Sequence, residues 1–399
     1  MARSISLREP TLASPLGSAR ALSLHRFLFR FAFAGAHVFA WVFVFQYFYL
    51  VEPSVAQALA RTVLLYALSQ TITCLGTPYA ARLLRSGARR VFAWATTLAA
   101  TSFIVLGASF EGFWGAAYPP AAIALFAVGL GLYRAFYWIP YEIEIQATGK
   151  SRGNLFTELL VALAPILGGF YVVAASFGPL LLLYTAGALM LVSVVPIFFL
   201  RNVHEGFSWG YRETFGRLVE PANRSIAVHA FFEGISGAAL LLFWPLAIFI
   251  ITGWSYGMLG VILTLTFIIA ILARSFVRGS IRRGGLHTSN LLKVVFAVTP
   301  WAFRTFVGTP LGAIFVDSYF YTTTPRRIGL DPLTFEQAAD AGSYVDEYTA
   351  LKEMGLALGR IAVSIVGALA VLAISLPAGF IVVFLCAALA SAAIALRSR

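Results

Sequence analysis

Arg82-Leu-Leu-Arg-Ser-Gly-Ala-Arg-Arg90 separates two long apolar stretches, 57–81 before it and 91–110 after it. Four arginines without an acid mark a loop kept on the cytoplasmic side of a membrane, because basic residues resist translocation during insertion. Outward from this loop, apolar stretches recur at 27–49, 57–81, 91–110, 119–141, 156–175, 179–200, 226–251, 256–277, 288–306, 308–325, 349–374 and 377–396. A helix needs about 20 apolar residues to span the bilayer core, and most of these stretches reach that length. The gaps 50–56, 111–118, 176–178, 252–255, 307 and 375–376 are short and hold no Lys or Arg. Of the 29 Lys and Arg residues, all but Arg61, Arg134, Arg304 and Arg360 belong to the opposite side. The expected fold is an all-α membrane protein: twelve transmembrane helices in two six-helix bundles, with both termini cytoplasmic.

Composition agrees. The chain is 60% hydrophobic with mean hydropathy +0.84, far from the charge that a soluble protein of this length exposes. Helices satisfy their own backbone in lipid. A barrel would show segments of about ten alternating residues, and only Phe39 to Tyr49 alternates in that way. The net charge of +12 is divided among short loops and forms no basic face, which excludes nucleic acid as a partner. Cys74 and Cys386 have neither disulfide nor metal spacing, and no metal or cofactor is expected. Arg3, Arg8, Arg20 and Arg26 precede an apolar run too long for a signal-peptide core, so 1–26 is expected to be a cytoplasmic arm. Gly149-Lys150-Ser151 imitates the end of a P-loop, but Glu144 stands where its first glycine belongs. No catalytic set is apparent. The chain is expected to be a monomer in a bacterial cytoplasmic membrane and not an enzyme.

The halves are expected at 27–200 and 226–399, joined by a cytoplasmic linker, 201–225. Within the linker, Ser208 to Val219 reads as a short amphipathic helix ended by Pro221, which either tethers the two bundles or rests Trp209, Phe215, Leu218 and Val219 on the inner leaflet. A second cytoplasmic insertion, 326–348, carries a helix start at Asp331-Pro332 and the acids Glu336, Asp340, Asp346 and Glu347. It is either a dock for the basic loops or a solvated helix. The loop Arg278 to Gly285 repeats the Arg-x-Gly of the first: Arg85 and Gly87 correspond to Arg282 and Gly284, with Arg283 between. A parallel six-helix duplication produces such an echo.

This arrangement resembles the major facilitator superfamily over nearly the whole chain. Of that family's loop pattern Gly-x-x-x-Asp-Arg-x-Gly-Arg-Arg, the chain keeps Arg85, Gly87, Arg89 and Arg90, one residue out of step at Ala88. Leu84 stands at the Asp position and Ala80 at the first Gly. In helix 5, Pro165-Ile-Leu-Gly168-Gly169 resembles the Pro-x-x-Gly-Gly of the family's antiporters, with Ala164 in place of the preceding glycine. The resemblance implies alternating access about a cavity lined by helices 1, 4, 7 and 10, with the basic loops as a cytoplasmic gate. With the gate's Asp missing, Glu142, Glu144, Glu158, Asp346 or Glu347 are left as partners for its arginines.

Ionisable residues inside apolar segments are costly, about 2.5–3.5 kcal/mol at mid-bilayer on insertion scales, and so point to function. The candidates are His37, Arg134, His229, Glu233, Asp317 and Arg360, and all but Arg360 fall on the four cavity helices. Arg304 is expected to snorkel to the outer surface. Arg134 shares a helical stripe with Tyr137, Trp138 and Tyr141, His37 one with Trp41, and Asp317 one with Tyr321. Tyr47, Tyr133 and Tyr319 add further hydroxyls, with Tyr47 and Tyr141 at the membrane interface. The expectation is Arg134 opposite Glu233 or Asp317, competing with a small organic solute and protons, or else a static salt bridge between bundles. Arg360 needs a carboxylate, a carbonyl or water. Gly168, Gly169, Gly355 and Gly359 read as points of close helix packing.

Overall fold

The computed structural model describes residues 17–110, 118–148, 155–175, 177–284, 290–323 and 345–397. Each of the twelve apolar segments is helical, and among the described residues there is no strand. The N-terminal half holds α1 (Ser18–Val51), α2 (Val55–Leu83), α3 (Ala88–Ala108), α4 (Tyr118–Thr148), α5 (Leu155–Ala174) and α6 (Gly178–Val192). The C-terminal half holds α7 (Arg224–Ala238, continued to Ile251), α8 (Tyr256–Gly284), α9 (Asn290–Arg304), α10 (Pro310–Thr323), α11 (Val345–Ala373) and α12 (Leu376–Arg397). Ten of these are long and apolar enough to cross a membrane. The other two, α9 and α10, have 15 and 14 helical residues.

Two sequence expectations need correction here. α1 begins at Ser18, so part of the expected arm 1–26 is helix; Ala21, Leu22 and His25 on it are buried in the N-terminal bundle. Arg282, Arg283 and Gly284, expected in a loop, still belong to α8. The linker helix spans Tyr211–Val219 and takes the tethering role, with Leu218 on protein while Val219 stays exposed. Leu218 packs with Cys74 of α2 and with Leu351 and Met354 of α11. Protein offers shape-matched partners on both halves, so the linker bridges them. Most of the insertion 326–348, including Asp331, lies outside the described residues.

The two halves meet where α2 runs along α11 and α5 along α8. Close approach there depends on small residues. A Cβ on Gly169 would stand 2.6 Å from the Tyr256 carbonyl of α8. Pro165 lies inside α5, and the Ile166 N–H donates to Thr264 Oγ1 of α8 at 3.0 Å. Within the C-terminal half, a Cβ on Gly359 would overlap the Phe231 carbonyl of α7. In α7 itself, a π-helical turn at Ala239–Phe243 precedes Pro245. Proline has no N–H for the regular ladder, and the wider turn accommodates the break.

Between α7 and α8, Trp254 adopts φ 66°, a region bulky side chains rarely occupy. The turn directs its ring onto Phe45 and Tyr49 of α1, at 5.2 and 4.8 Å between centroids. Tyr256 donates its hydroxyl to Gln46 at the same level. At the opposite end, Ala350 of α11 packs into a cluster with Ala81, Leu84, Ile139 and Ile143. Among the described residues, both ends of the interface are bridged by packed side chains.

Candidate functional site

α2 carries two adjacent polar residues, Ser69 and Gln70, midway along its length. They face different partners. Ser69 Oγ accepts from Arg134 Nη1 of α4 at 3.3 Å, and Gln70 Oε1 accepts from Arg360 Nη1 of α11 at 3.1 Å. The second bond crosses between the halves. Arg134 Nη2 also lies 3.3 Å from His37 Nε2 of α1, and its guanidinium sits over the Tyr66 ring, 5.5 Å from the centroid. Trp41 Nε1 donates to the same His37 nitrogen at 3.3 Å. With two donors directed at Nε2, the imidazole hydrogen belongs on Nδ1. His37, Ser69, Gln70, Arg134 and Arg360 are all buried, the two arginines at 0% and 1% exposure. The fully buried cluster lies between the bundles.

The expected pairing of Arg134 with Asp317 is corrected. Asp317 Oδ1 accepts from Arg304 Nη2 at 2.6 Å and Oδ2 from Trp244 Nε1 at 2.8 Å. Arg304 does not snorkel outward; it is 2% exposed. Its guanidinium lies against Trp301, Phe320 and Trp244, at 4.4, 4.7 and 5.2 Å from the ring centroids. Three aromatic faces and a carboxylate hold it better than interfacial water would. Glu233 is paired along its own helix with His229 at 3.0 Å, as their spacing suggests, and its side chain is 10% exposed.

Tyr133, Tyr137 and Tyr141 are buried with Phe29, Phe92 and Trp138 inside the N-terminal half. His25 Nε2 lies 3.1 Å from the Tyr137 hydroxyl. Tyr137 and Trp138 thus belong to the bundle core instead of an open solute path, and Tyr141 is no interfacial belt residue. Tyr321 lines an apolar cleft between the halves with Val38, Pro165, Leu241 and Phe267. The free space there is about 20 Å³, close to one water, so no organic solute fits in this closed form.

The basic loop holds its own half. Gly87 adopts φ 114°, and a Cβ there would collide with Asn202. Arg85 donates to the Phe207 carbonyl at 3.1 Å, and Arg89 to the carbonyls of Phe198 and Leu200, both at 3.3 Å. Arg89 is also within electrostatic reach of Glu144. Arg90 is exposed. Toward the C-terminal half, Ser208 donates to Glu347 at 2.6 Å.

Sequence reasoning missed Gln70, Ser69, Trp244 and the ion pair Arg30–Glu158, which joins α1 to α5 by two bonds of 2.9 and 2.8 Å. An uncharged amide in an apolar run was the available signal for Gln70. Arg30 lay too near a segment end to stand out, and Glu158, expected among the partners of the loop arginines, pairs with Arg30 of α1 instead.

No protein-family profile matches the chain, and no curated protein sequence matches it. Solved structures do. A nucleoside transporter, NupG, aligns over 95% of this chain and 97% of its own, with TM-score 0.56 and 14% identity. A peptide transporter, POT, aligns over 98% and 96%, with TM-score 0.58 and 14% identity. Both are transporters, not enzymes. The chain shares the fold of these two transporters, and ten of its helices are long and apolar enough to cross a membrane.

Proposed function

We propose that the chain is a secondary transporter that moves a small organic solute by rocking one half against the other. The observation that carries this reading is the buried polar cluster at the interface of the halves. Arg360 reaches across to Gln70, and the α1–α8 and α4–α11 ends are both packed around it. A purely structural membrane bundle has little reason to bury two guanidiniums at its dividing plane. The small residues of α5 support sliding against α8, as alternating access requires.

Proton coupling, in this reading, rests on Glu233, the partly accessible carboxylate beside His229. Pro165-x-x-Gly-Gly supports export. One observation favours an uncoupled facilitator instead: Asp317 is already locked by Arg304 and Trp244. The test is flux of a labelled metabolite panel in proteoliposomes, with and without a proton gradient. Gradient-driven flux that Glu233→Gln abolishes supports coupling. Equal flux after collapse of the gradient establishes the facilitator. No flux for any solute in either direction would defeat the transport reading.

A further inference from the structure

Arg304 and Arg360 each bury two guanidinium nitrogens without a hydrogen-bond partner, but Arg304 has the Asp317 carboxylate, whereas Arg360 forms no ion pair among the described residues. Its Nη1 donates to Gln70, but Nε and Nη2 are buried without a hydrogen-bond partner. Those two N–H groups occupy one edge of the planar guanidinium. They point in parallel, at the spacing of the two oxygens of a carboxylate. Gln70 Nε2 is also buried and unpartnered, as is His37 Nδ1. Every free polar atom in this set is therefore a donor. Leaving a buried cation so unpaired costs several kcal/mol. On the α7 side of that edge the backbone leaves room for about a methyl group, since a Cβ built on Gly237 would meet only Arg360 Nε, at 3.9 Å.

We propose that this edge binds the carboxylate of an organic acid, with the Gln70 amide as a third donor. The bond set is bidentate from Arg360 and neutralises the charge between α2 and α11. The position of the acid's body follows from α7. Leu240 and Leu241 lie one helical turn beyond Gly237 and line the apolar cleft shared with Val38, Phe267 and Tyr321. An apolar or aromatic monocarboxylate matches that order of polar and apolar surface once the halves part, since the cleft of about 20 Å³ in this closed form admits no organic body. A dianion gains less, because one fork and one amide cannot satisfy its oxygens. Calling the acid a substrate rests on the transport reading above, but its binding does not.

The experiment uses the detergent-purified full chain and needs no flux. Thermal midpoints are measured with acetate and 3-phenylpropionate, against acetamide, 3-phenylpropionamide and inorganic phosphate at matched ionic strength. The two carboxylates are expected to raise the midpoint, 3-phenylpropionate more than acetate, with the amides inert. Arg360→Lys keeps the charge but loses the fork, and is expected to weaken 3-phenylpropionate about 10–100-fold. Gln70→Leu is expected to weaken it less. The proposal is overturned if neither carboxylate shifts the wild type, if the amides stabilise equally, or if Arg360→Lys leaves affinity intact. Greater stabilisation by phosphate overturns the carboxylate assignment in favour of a phosphorylated ligand or lipid headgroup; vesicles containing phosphatidylglycerol then separate those sources. Carboxylate binding without flux would defeat transport and leave the site standing. Flux indifferent to carboxylates and to Arg360→Lys would do the reverse.

Discussion

Asp317→Asn is the sharpest test of the buried ion pair in the C-terminal half. The carboxylate accepts from Arg304 at 2.6 Å and from Trp244 at 2.8 Å, with both ionic side chains almost without solvent contact. Asparagine keeps an acceptor for Trp244 but removes the charge. Arg304 is then left among Trp301, Phe320 and Trp244, whose rings are already present and so offset nothing new. Removing one member of a buried pair costs roughly 3–5 kcal/mol. Arg304 ends α9, and its long side chain can swing outward, so the expected loss lies at the lower end, about 3 kcal/mol. That lowers the folded-to-unfolded ratio about 100-fold. Labelling of Cys74, buried on α2, reports global unfolding without touching the pair. The double variant Arg304→Met with Asp317→Leu exchanges the pair for apolar volume and is expected to recover to within about 1 kcal/mol of wild type. Two results would refute the reasoning: an Asp317→Asn loss below about 0.5 kcal/mol, or single losses that simply add in the double variant.

Three further outcomes follow from other contacts. Gly359→Ala forces a methyl onto the Phe231 carbonyl and is expected to cost about 1–3 kcal/mol by separating α7 from α11, whereas Gly216→Ala, exposed inside the linker helix with nothing near its Cβ, is expected to cost nothing in the same labelling assay and to stabilise that helix by up to about 1 kcal/mol. Glu158→Gln removes the charge that two Arg30 bonds neutralise, leaves Arg30 buried without its anion, and is expected to lower the unfolding midpoint more than Glu52→Gln at the exposed Arg61 pair. On the linker helix, the Gly210 N–H, and then Arg217, hold the Glu213 carboxyl below its usual range. Its stabilising effect is thus present above the unfolded glutamate value of about 4.3 and lost as pH falls through the lower folded value; amide exchange at Tyr211–Val219 is expected to rise over that interval, and Glu213→Ala to show the faster exchange already at neutral pH.

Residue-level comparison shows which properties were local. Segments such as 91–110 and 256–277 became helices because hydropathy and backbone self-satisfaction act within one segment. The Pro165-x-x-Gly-Gly element was legible as a packing surface because glycine next to glycine leaves a flat helix face. The His229–Glu233 pair was legible for the same reason: both partners share one helix. Arg134 and Asp317 were matched by depth and helix number, and this failed. Which way each helix is rotated, and which neighbour stands beside it, depends on contacts dispersed over many residues. Arg304 was assigned to the surface by its distance from a segment end, yet Trp244 and Trp301 enclose it. Tyr137 lay on the same stripe as Arg134, but the stripe is wide enough to face two different surroundings.

The alternation of apolar segments and basic loops determined the helical class and the short list of charges that topology cannot explain, because hydropathy is a property each segment carries alone. Only the tertiary structure decided that Gln70 meets Arg360 across the halves, that Arg304 takes Asp317, and that Arg360 keeps a free donor edge. Those outcomes depend on the rotation and close approach of helices remote in sequence, where a shift of one residue along a helix turns a side chain by about 100°.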